Sequence, residues 1–306
     1  MDRLRHFFLD PQGAQVALEF SSVALVGARV SSRGGRLELA ALASEALTEG
    51  ALSPTLEDAG FHLKAEIRDA VKRVLARIGG TPSSRAALVV PDIVARFRLF
   101  QDEEVRAEPG DRDAVIRFRM QKLLPFPPAD VRVISAWPRL PKDPVLGIGF
   151  SAEVLGAYEQ VGQAFGLDVG SVETSSMALL RGLEPSGDCL LVRHDPAWLT
   201  LTLTRNGWPL SIRSFDAAVS RKPEEVRREI ASTAVFWRDR LAGETLAKAF
   251  VHATEPWFEV LRAEAATVFG CRVERAAPPK DLVVAGLPEA IQQSAAPALT
   301  LLGASY

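Results

Sequence analysis

Apolar residues form two adjoining blocks where the regular pattern of the chain begins, "ALEFSSVALV" at residues 17–26, parted by Ser21 and Ser22 with Glu19 two places ahead. Such blocks read as a strand that turns straight into a second strand. "SSRGG" is a turn, and the alternation of Leu37 and Leu39 begins a third strand paired with its predecessor. Over residues 65–78 the pattern changes to helical spacing, with Ile67, Val71, Val74 or Leu75 and Ile78 on one stripe and Gly79-Gly80 at the end. "RAALVVP" is apolar without alternation, which marks a strand covered on both faces and places helices on both sides of its sheet.

The texture then becomes charged ("QDEEVRAEPGDRD"), followed by a helix "AVIRFRMQKLL", the proline-rich "PFPPADV" and the strand candidates "RVISAW" and "VLGIGF". This stretch reads as a small inserted subdomain. A helix returns at "SAEVLGAYEQVGQAFG", with Val154, Tyr158, Val161 and Phe165 on its stripe and Gly166 as its cap. The second half repeats the plan: strand, turn, strand, an Asn206-Gly207 hairpin and a third strand, then a long helix whose buried stripe is Val226, Ile230, Thr233, Trp237 and Leu241. "KAFVHATEPWFEVLRAEAATVFG" is strand then helix, and "VERAAPPKDLVVAGLPEAI" leads to the C-terminus. Two such copies imply an internally duplicated α/β architecture with a cleft between the halves.

Composition narrows the function classes. With 306 residues and 47% hydrophobic content the chain can fill two cores. A formal net charge of -2 gives no basic excess for nucleic acid or anionic lipid. Cys189 and Cys271 lie far apart and suit reduced thiols, and His6, His62, His194 and His252 have no ligand spacing, so no metal is expected. The N-terminal "MDRLRHFFLDPQG" is too short in its apolar run for a signal-peptide core and reads as a frayed arm folded back on the body, ahead of the alternative of a tail that touches a membrane surface. The expected location is the cytoplasm.

From about Leu18 onward the chain resembles the PilM family, cytoplasmic actin-like proteins of type IV pilus assembly. "SSVALVGARVSSRGGRLELAALASEALTEGAL" is similar to the family's opening meander, and "IRFRMQKLLPFPPADVRV" to its signature segment around Pro-Phe-Pro. "AEVLGAYEQVGQAFGLDVGSVETSSMALLRGL" resembles its passage into the second domain, and "LTLTRNGWPLSIRSF" its second meander. The L protein of type II secretion and FtsA share the fold. The resemblance implies a duplicated actin-like (ribonuclease H-like) α/β fold of two domains with a cleft between them and a small α+β insert in the first. The expected divisions are 14–96 for the first domain, 97–150 for the insert, 151–184 for the return and crossover, and 185–306 for the second domain.

In actin-like ATPases each meander bends through an Asp-x-Gly turn, where glycine lets N–H groups approach phosphate and the acid orients the water shell of Mg²⁺. Here Glu19, Ser21 and Ser22 keep an acid but no glycine, Arg193-His194-Asp195 stands at the second turn, and Ala253-Thr254-Glu255 replaces the Gly-Gly pair under the adenosine. These vestigial positions lead to an expectation of no ATP, no Mg²⁺ and no enzymatic activity. Glu19 reads either as a surviving Mg²⁺-orienting acid or as a salt-bridged strand residue. Arg193 and Asp195 could pair across the old cleft and lock it shut, but a surface ion pair is usually worth only ~0–1 kcal/mol, too little to carry rigidity. His194 has no nucleophile or orienting acid in sequence to make it a base. Trp198, Trp208 and Trp257 either fill the space of a nucleotide or pack in the cores. The alternative function is an ATP-binding switch of a pilus or type II secretion system that uses Glu19 and the serine N–H groups. A sugar-kinase activity would need a catalytic Asp in a loop over the cleft, and no such motif is present.

Pro125, Pro127 and Pro128 fix the backbone around Phe126, which can therefore line a groove for an extended peptide or plug the insert against the first sheet. The resemblance implies that Arg117, Met120, Leu124, Pro125, Phe126 and Pro127, and less directly Arg98, lie in or near a cleft for the N-terminal cytoplasmic tail of a PilN-like bitopic membrane protein. It implies a non-catalytic adaptor, peripheral to the inner membrane through that partner, with pilus motor ATPases as further partners.

Overall fold

The computed structural model describes residues 14–276 apart from 34, 35, 63, 106, 107, 109, 141 and 184. The N-terminal arm and most of the "VERAAPPKDLVVAGLPEAI" segment lie outside the described residues. A meander of β1 (Val16–Phe20), β2 (Ala24–Arg33) and β3 (Arg36–Ala46) leads into α1 (Lys64–Ile78) and β4 (Arg85–Val90). After an excursion the chain returns through α3 (Ala152–Gln163) and β8 (Asp168–Thr174). The excursion holds β5 (Ala95–Phe100), α2 (Arg112–Gln121), β6 (Val131–Ala136) and β7 (Val145–Ser151). A crossover helix α4 (Ser175–Leu183) enters the second half: β9 (Asp188–Asp195), β10 (Trp198–Arg205), β11 (Trp208–Asp216), α5 (Ala217–Ser220), α6 (Pro223–Arg240), β12 (Lys248–His252), α7 (Glu255–Phe269) and β13 (Val273–Arg275).

The two large sheets have the same construction. Their strand orders are β3-β2-β1-β4-β8 and β11-β10-β9-β12-β13. In each, the meander is antiparallel and the last two strands join in parallel, β1 with β4 and β4 with β8 in one, β9 with β12 and β12 with β13 in the other. A parallel join needs a crossover, and the helices that supply it cover the sheet faces. The α1 stripe Ile67, Val71, Val74, Leu75 and Ile78 is buried on one face of the first sheet, with Val154 and Tyr158 of α3 in the same core. Tyr158 also donates its hydroxyl to the Ala59 carbonyl at 3.0 Å. In the second half Val226, Ile230, Thr233 and Trp237 of α6 are buried, whereas Leu241 is the C-cap and only half-buried.

The excursion is a three-stranded sheet, β5-β7-β6, with α2 laid across it. Its core is Phe100, Val105, Ile116, Met120 and Val145. Glycines at 147 and 149 of β7 let the helix approach: a Cβ on Gly147 would stand 2.8 Å from Phe100 and 3.0 Å from Met120 Sδ, and one on Gly149 2.6 Å from Leu124 Cδ1. Asp113 on α2 accepts from Ser135 Oγ at 2.6 Å and Trp137 Nε1 at 2.9 Å, which fixes the helix to β6.

Candidate functional site

Strand alternation decides which side chains meet between the halves. On β1, Leu18 and Phe20 enter the core beneath α1, so Ala17 and Glu19 take the opposite face. On β9, Leu190 and Val192 belong to the core of the second half, so Cys189, Leu191, Arg193 and Asp195 face the other way. Helix α4 lies between these two faces, giving Ala178 to the first sheet and Leu179 and Leu180 to the second. The inner faces therefore bring Glu19 from one half to Arg193 and Asp195 of the other.

The contacts are direct. Arg193 Nη2 donates to Glu19 Oε1 at 3.0 Å, and Arg193 Nε donates at 2.8 Å to Ser175 Oγ, which in turn donates to Glu19 Oε1 at 3.1 Å. Asp195 accepts the Ser22 N–H at 3.1 Å, the Ser22 hydroxyl, and the Ala197 N–H at 2.8 Å. Asp92, in the short turn after β4, accepts the N–H of Ser176 at 2.8 Å and its hydroxyl, bracing the start of α4. The side chains of Glu19 and Arg193 are 2% and 5% exposed, so the pair is sealed from water. The pairing of Arg193 with Asp195 that the sequence allows is not the one formed: Arg193 pairs with Glu19, Asp195 binds the first turn, and both are buried. Short-range sequence reading joined the two ions nearest in the chain, but as alternate residues of one strand they point side by side toward different partners.

Burial pushes the Glu19 carboxyl up, and Arg193 and Ser175 pull it back. Burial likewise raises Asp92 against its Ser176 hydrogen bonds, and Asp195 against the attraction of Arg193. One guanidinium therefore stands among three buried carboxyl groups. His194, facing the other way on β9, is pushed down to about 4 by burial, hydrogen-bonds the Ser220 carbonyl through Nε2 at 2.9 Å, and stacks on Trp257 with ring centres 4.1 Å apart. Trp198 is fully buried, with the Arg193 guanidinium 5.8 Å from its ring centre. Trp208 lies elsewhere: its indole N–H donates at 2.8 Å to the Pro144 carbonyl and ties the β10–β11 hairpin to the three-stranded subdomain. Two of the three tryptophans therefore flank the altered turns. Thr254 is exposed at the start of α7, where its side chain makes no capping hydrogen bond.

Ser21 closes the first turn on itself. Its N–H and hydroxyl both reach the Ala24 carbonyl, at 3.1 and 2.8 Å, and its Oγ accepts the Ala24 N–H at 3.1 Å. Sequence reading singled out Glu19, Ser21, Ser22, Arg193 and Asp195, and the fold brings all five together. It missed Asp92, Ser175 and Ser176. Their signal was an acid directly after a buried strand and a Ser-Ser pair opening a helix, a start-of-helix pattern. Among the described residues no group of three or more His, Cys, Asp or Glu side chains is arranged to hold a metal ion, and no helix is long and apolar enough to cross a membrane.

The other set of expected site residues lies on the three-stranded subdomain. Arg98 is exposed on β5 and donates to Glu104 at 3.1 Å, and Arg117 is exposed on α2. Pro125 and Pro127 are exposed and Phe126 is half-buried. Met120 and Leu124 are buried beneath the helix and support this surface from inside. Phe118 and Leu123, which the sequence reading passed over, stand out at 57% and 45% exposed, and Lys122 Nζ sits 4.1 Å from the Phe118 ring centre.

Two five-stranded sheets of identical order, joined by a crossover helix and carrying a small sheet-and-helix excursion in the first, define a duplicated actin-like α/β fold. The particular likeness is to the solved PilM-PilN type IV pilus biogenesis complex, at a TM-score of 0.77 and 16% identity over 96% of this chain and 98% of that one. A Bacteroides thetaiotaomicron protein with an actin-like ATPase fold matches at a TM-score of 0.52 and 10% identity, over 86% of this chain and 91% of that one. No family model matches the sequence, and no curated protein does. At these identities the likeness is one of fold.

Proposed function

We propose that this chain is a PilM-like, non-catalytic adaptor that works without nucleotide and receives the short cytoplasmic tail of a PilN-like bitopic protein of the inner membrane. The observation that carries the reading is the buried contact of Glu19 with Arg193 and of Ser22 with Asp195. A triphosphate needs open N–H donors and a metal-steering acid at these turns. Here the donors and the acid are already engaged by the chain's own side chains, so the residues present do not fit Mg²⁺-ATP. The whole-length likeness to a PilM-PilN structure supports the choice of partner class. The protein then acts in the cytoplasm, held at the inner membrane by its partner.

The tail is placed on the surface formed by Arg117, Phe118, Leu123, Pro125, Phe126 and Pro127. Proline-fixed backbone and exposed aromatic surface lower the ordering cost of gripping an extended peptide. Arg98, on the neighbouring strand, stands at its margin. Calorimetric titration of a synthetic tail peptide tests the reading. Phe126→Ala and Arg117→Glu should each weaken binding by tenfold or more, with the fold intact by circular dichroism. Unchanged affinity in both variants would remove the peptide from this face.

A further inference from the structure

Asp195 does more than fill a gap. Its carboxylate lies at the meeting point of two hairpin turns that belong to opposite halves, and it is held there by donors from both. Ser22 contributes an N–H at 3.1 Å and its hydroxyl from the β1–β2 turn, and Ala197 contributes an N–H at 2.8 Å from the β9–β10 turn. The Ala197 bond is a local turn that aims the carboxylate. The Ser22 bonds span 173 residues of sequence and join the halves. Because Ser21 has closed the first turn through Ala24, the N–H of Ser22 is turned outward, to an anion. Arg193, on the same strand, adds a fixed positive charge that draws the carboxylate; Glu19 and Asp92 are further buried acids beside it, and Glu173, paired with Arg181, lies on the same face of the first sheet as Glu19. Converging N–H and O–H donors of this kind bind oxyanions generally, carboxylate and phosphate alike.

We infer that the two turns form an oxyanion seat shared between the halves, and that Asp195 occupies it as a built-in anion, clamping the protein in one closed arrangement. An ordinary ligand of such a seat would come and go and make closure conditional. A tethered carboxylate is present at an effective concentration no solute reaches, so the halves stay together in its absence. This inference rests on the nucleotide-free reading above and gives it a physical cause: the seat is not lost but taken. Removing the side chain should therefore expose a working site for a free oxyanion of similar size.

The test is chemical rescue of Asp195→Gly in the full chain, followed by thermal unfolding in sodium formate, sodium phosphate or sodium chloride at matched ionic strength. The expected result is a lowered melting temperature in chloride that rises saturably with formate or phosphate, while the wild type responds to the three salts alike. Adding Ser22→Ala, which deletes one donor, should weaken the rescuing anion by about tenfold, the loss of one charge-assisted hydrogen bond. Asp195→Ser, which leaves a smaller void, provides the same readout if the glycine variant does not fold in chloride, and folding of either variant in formate alone would also support the seat. Equal melting temperatures in all three salts for a folded variant, or failure of both variants to fold in any of them, would overturn it. Saturable stabilisation of the wild type by Mg²⁺-ATP is a separate outcome: it would defeat the nucleotide-free reading, while formate rescue still decides the seat.

Discussion

A guanidinium 5% exposed is stable only with a partner, because the cost of taking both ions out of water is recovered through their hydrogen bonds. Arg193 supplies three such bonds, to Glu19, Ser175 and the His194 carbonyl. Arg193→Ala should strand the Glu19 carboxylate and lower stability by roughly 3–5 kcal/mol in urea unfolding, whereas the double change Arg193→Met with Glu19→Leu should recover most of that loss. Recovery that failed would mean that the pair, and not the avoided orphan charge, carries the energy. His194 provides a pH test with the opposite logic. Its pKa is depressed to about 4, so the unfolded chain binds the proton more readily; its contribution is complete above about 6.5 and lost as pH falls, by roughly 2 kcal/mol between pH 7 and pH 5. Glu173, raised to about 7 by burial against the pull of Arg181, works the other way, since its contribution is present at low pH and fades as pH climbs through that value. The wild-type profile is a compromise between the two, so the informative quantity is a difference: His194→Phe should gain stability relative to wild type as pH drops from 7 to 5. A constant offset across that range would place the titration elsewhere. Sequence alone exposed Glu19, Arg193 and Asp195 as ions inside apolar runs, but the contacts that join the halves, Arg193 to Glu19 and Ser22 to Asp195, span more than 150 residues and only the fold could assign them.

At the scale of elements, most of the pattern was legible. The periodicity of α1, α3 and α6, the Asn206-Gly207 hairpin and the unbroken apolar run of β4 each correspond to what those segments form. The reason is physical: these elements bury one continuous stripe or two faces, which the spacing of apolar residues records. The short excursion was harder to read. The family resemblance implies that Met120 and Leu124 lie in or near the peptide cleft, and the glycines of β7 let both pack so closely on the sheet that their side chains are buried. The exposed apolar surface here belongs to Phe118 of α2 and to Leu123 just past its end, a distinction that depends on which face of the segment meets the sheet. Gly149→Val should drive a branched side chain into Leu124 and cost about 1–3 kcal/mol, as overpacking does. Hydrogen exchange should detect the loss first in α2 and β6. Protection lost evenly over the whole chain would mean that the excursion is not a separate unit of stability. Trp208 ties it to the second half through the Pro144 carbonyl, and β11 also packs on β5.

For the whole molecule, duplication is the organising fact: one strand order appears twice, and the two copies face each other through β1, β9 and α4. Where the two halves meet, this chain places an ion pair and a hydrogen-bonded carboxylate. In the proposed adaptor, closure would depend on nothing diffusible, and the proposed peptide-binding face would be the part that engages a partner. Its partner should bind with the same affinity whether or not nucleotide is present. The most direct measurement is calorimetric titration of Mg²⁺-ATP into the purified full-length protein, alone and saturated with the tail peptide. No saturable heat is expected in either case; a saturable one-to-one isotherm in the free protein, abolished by Glu19→Ala, would contradict nucleotide-free closure.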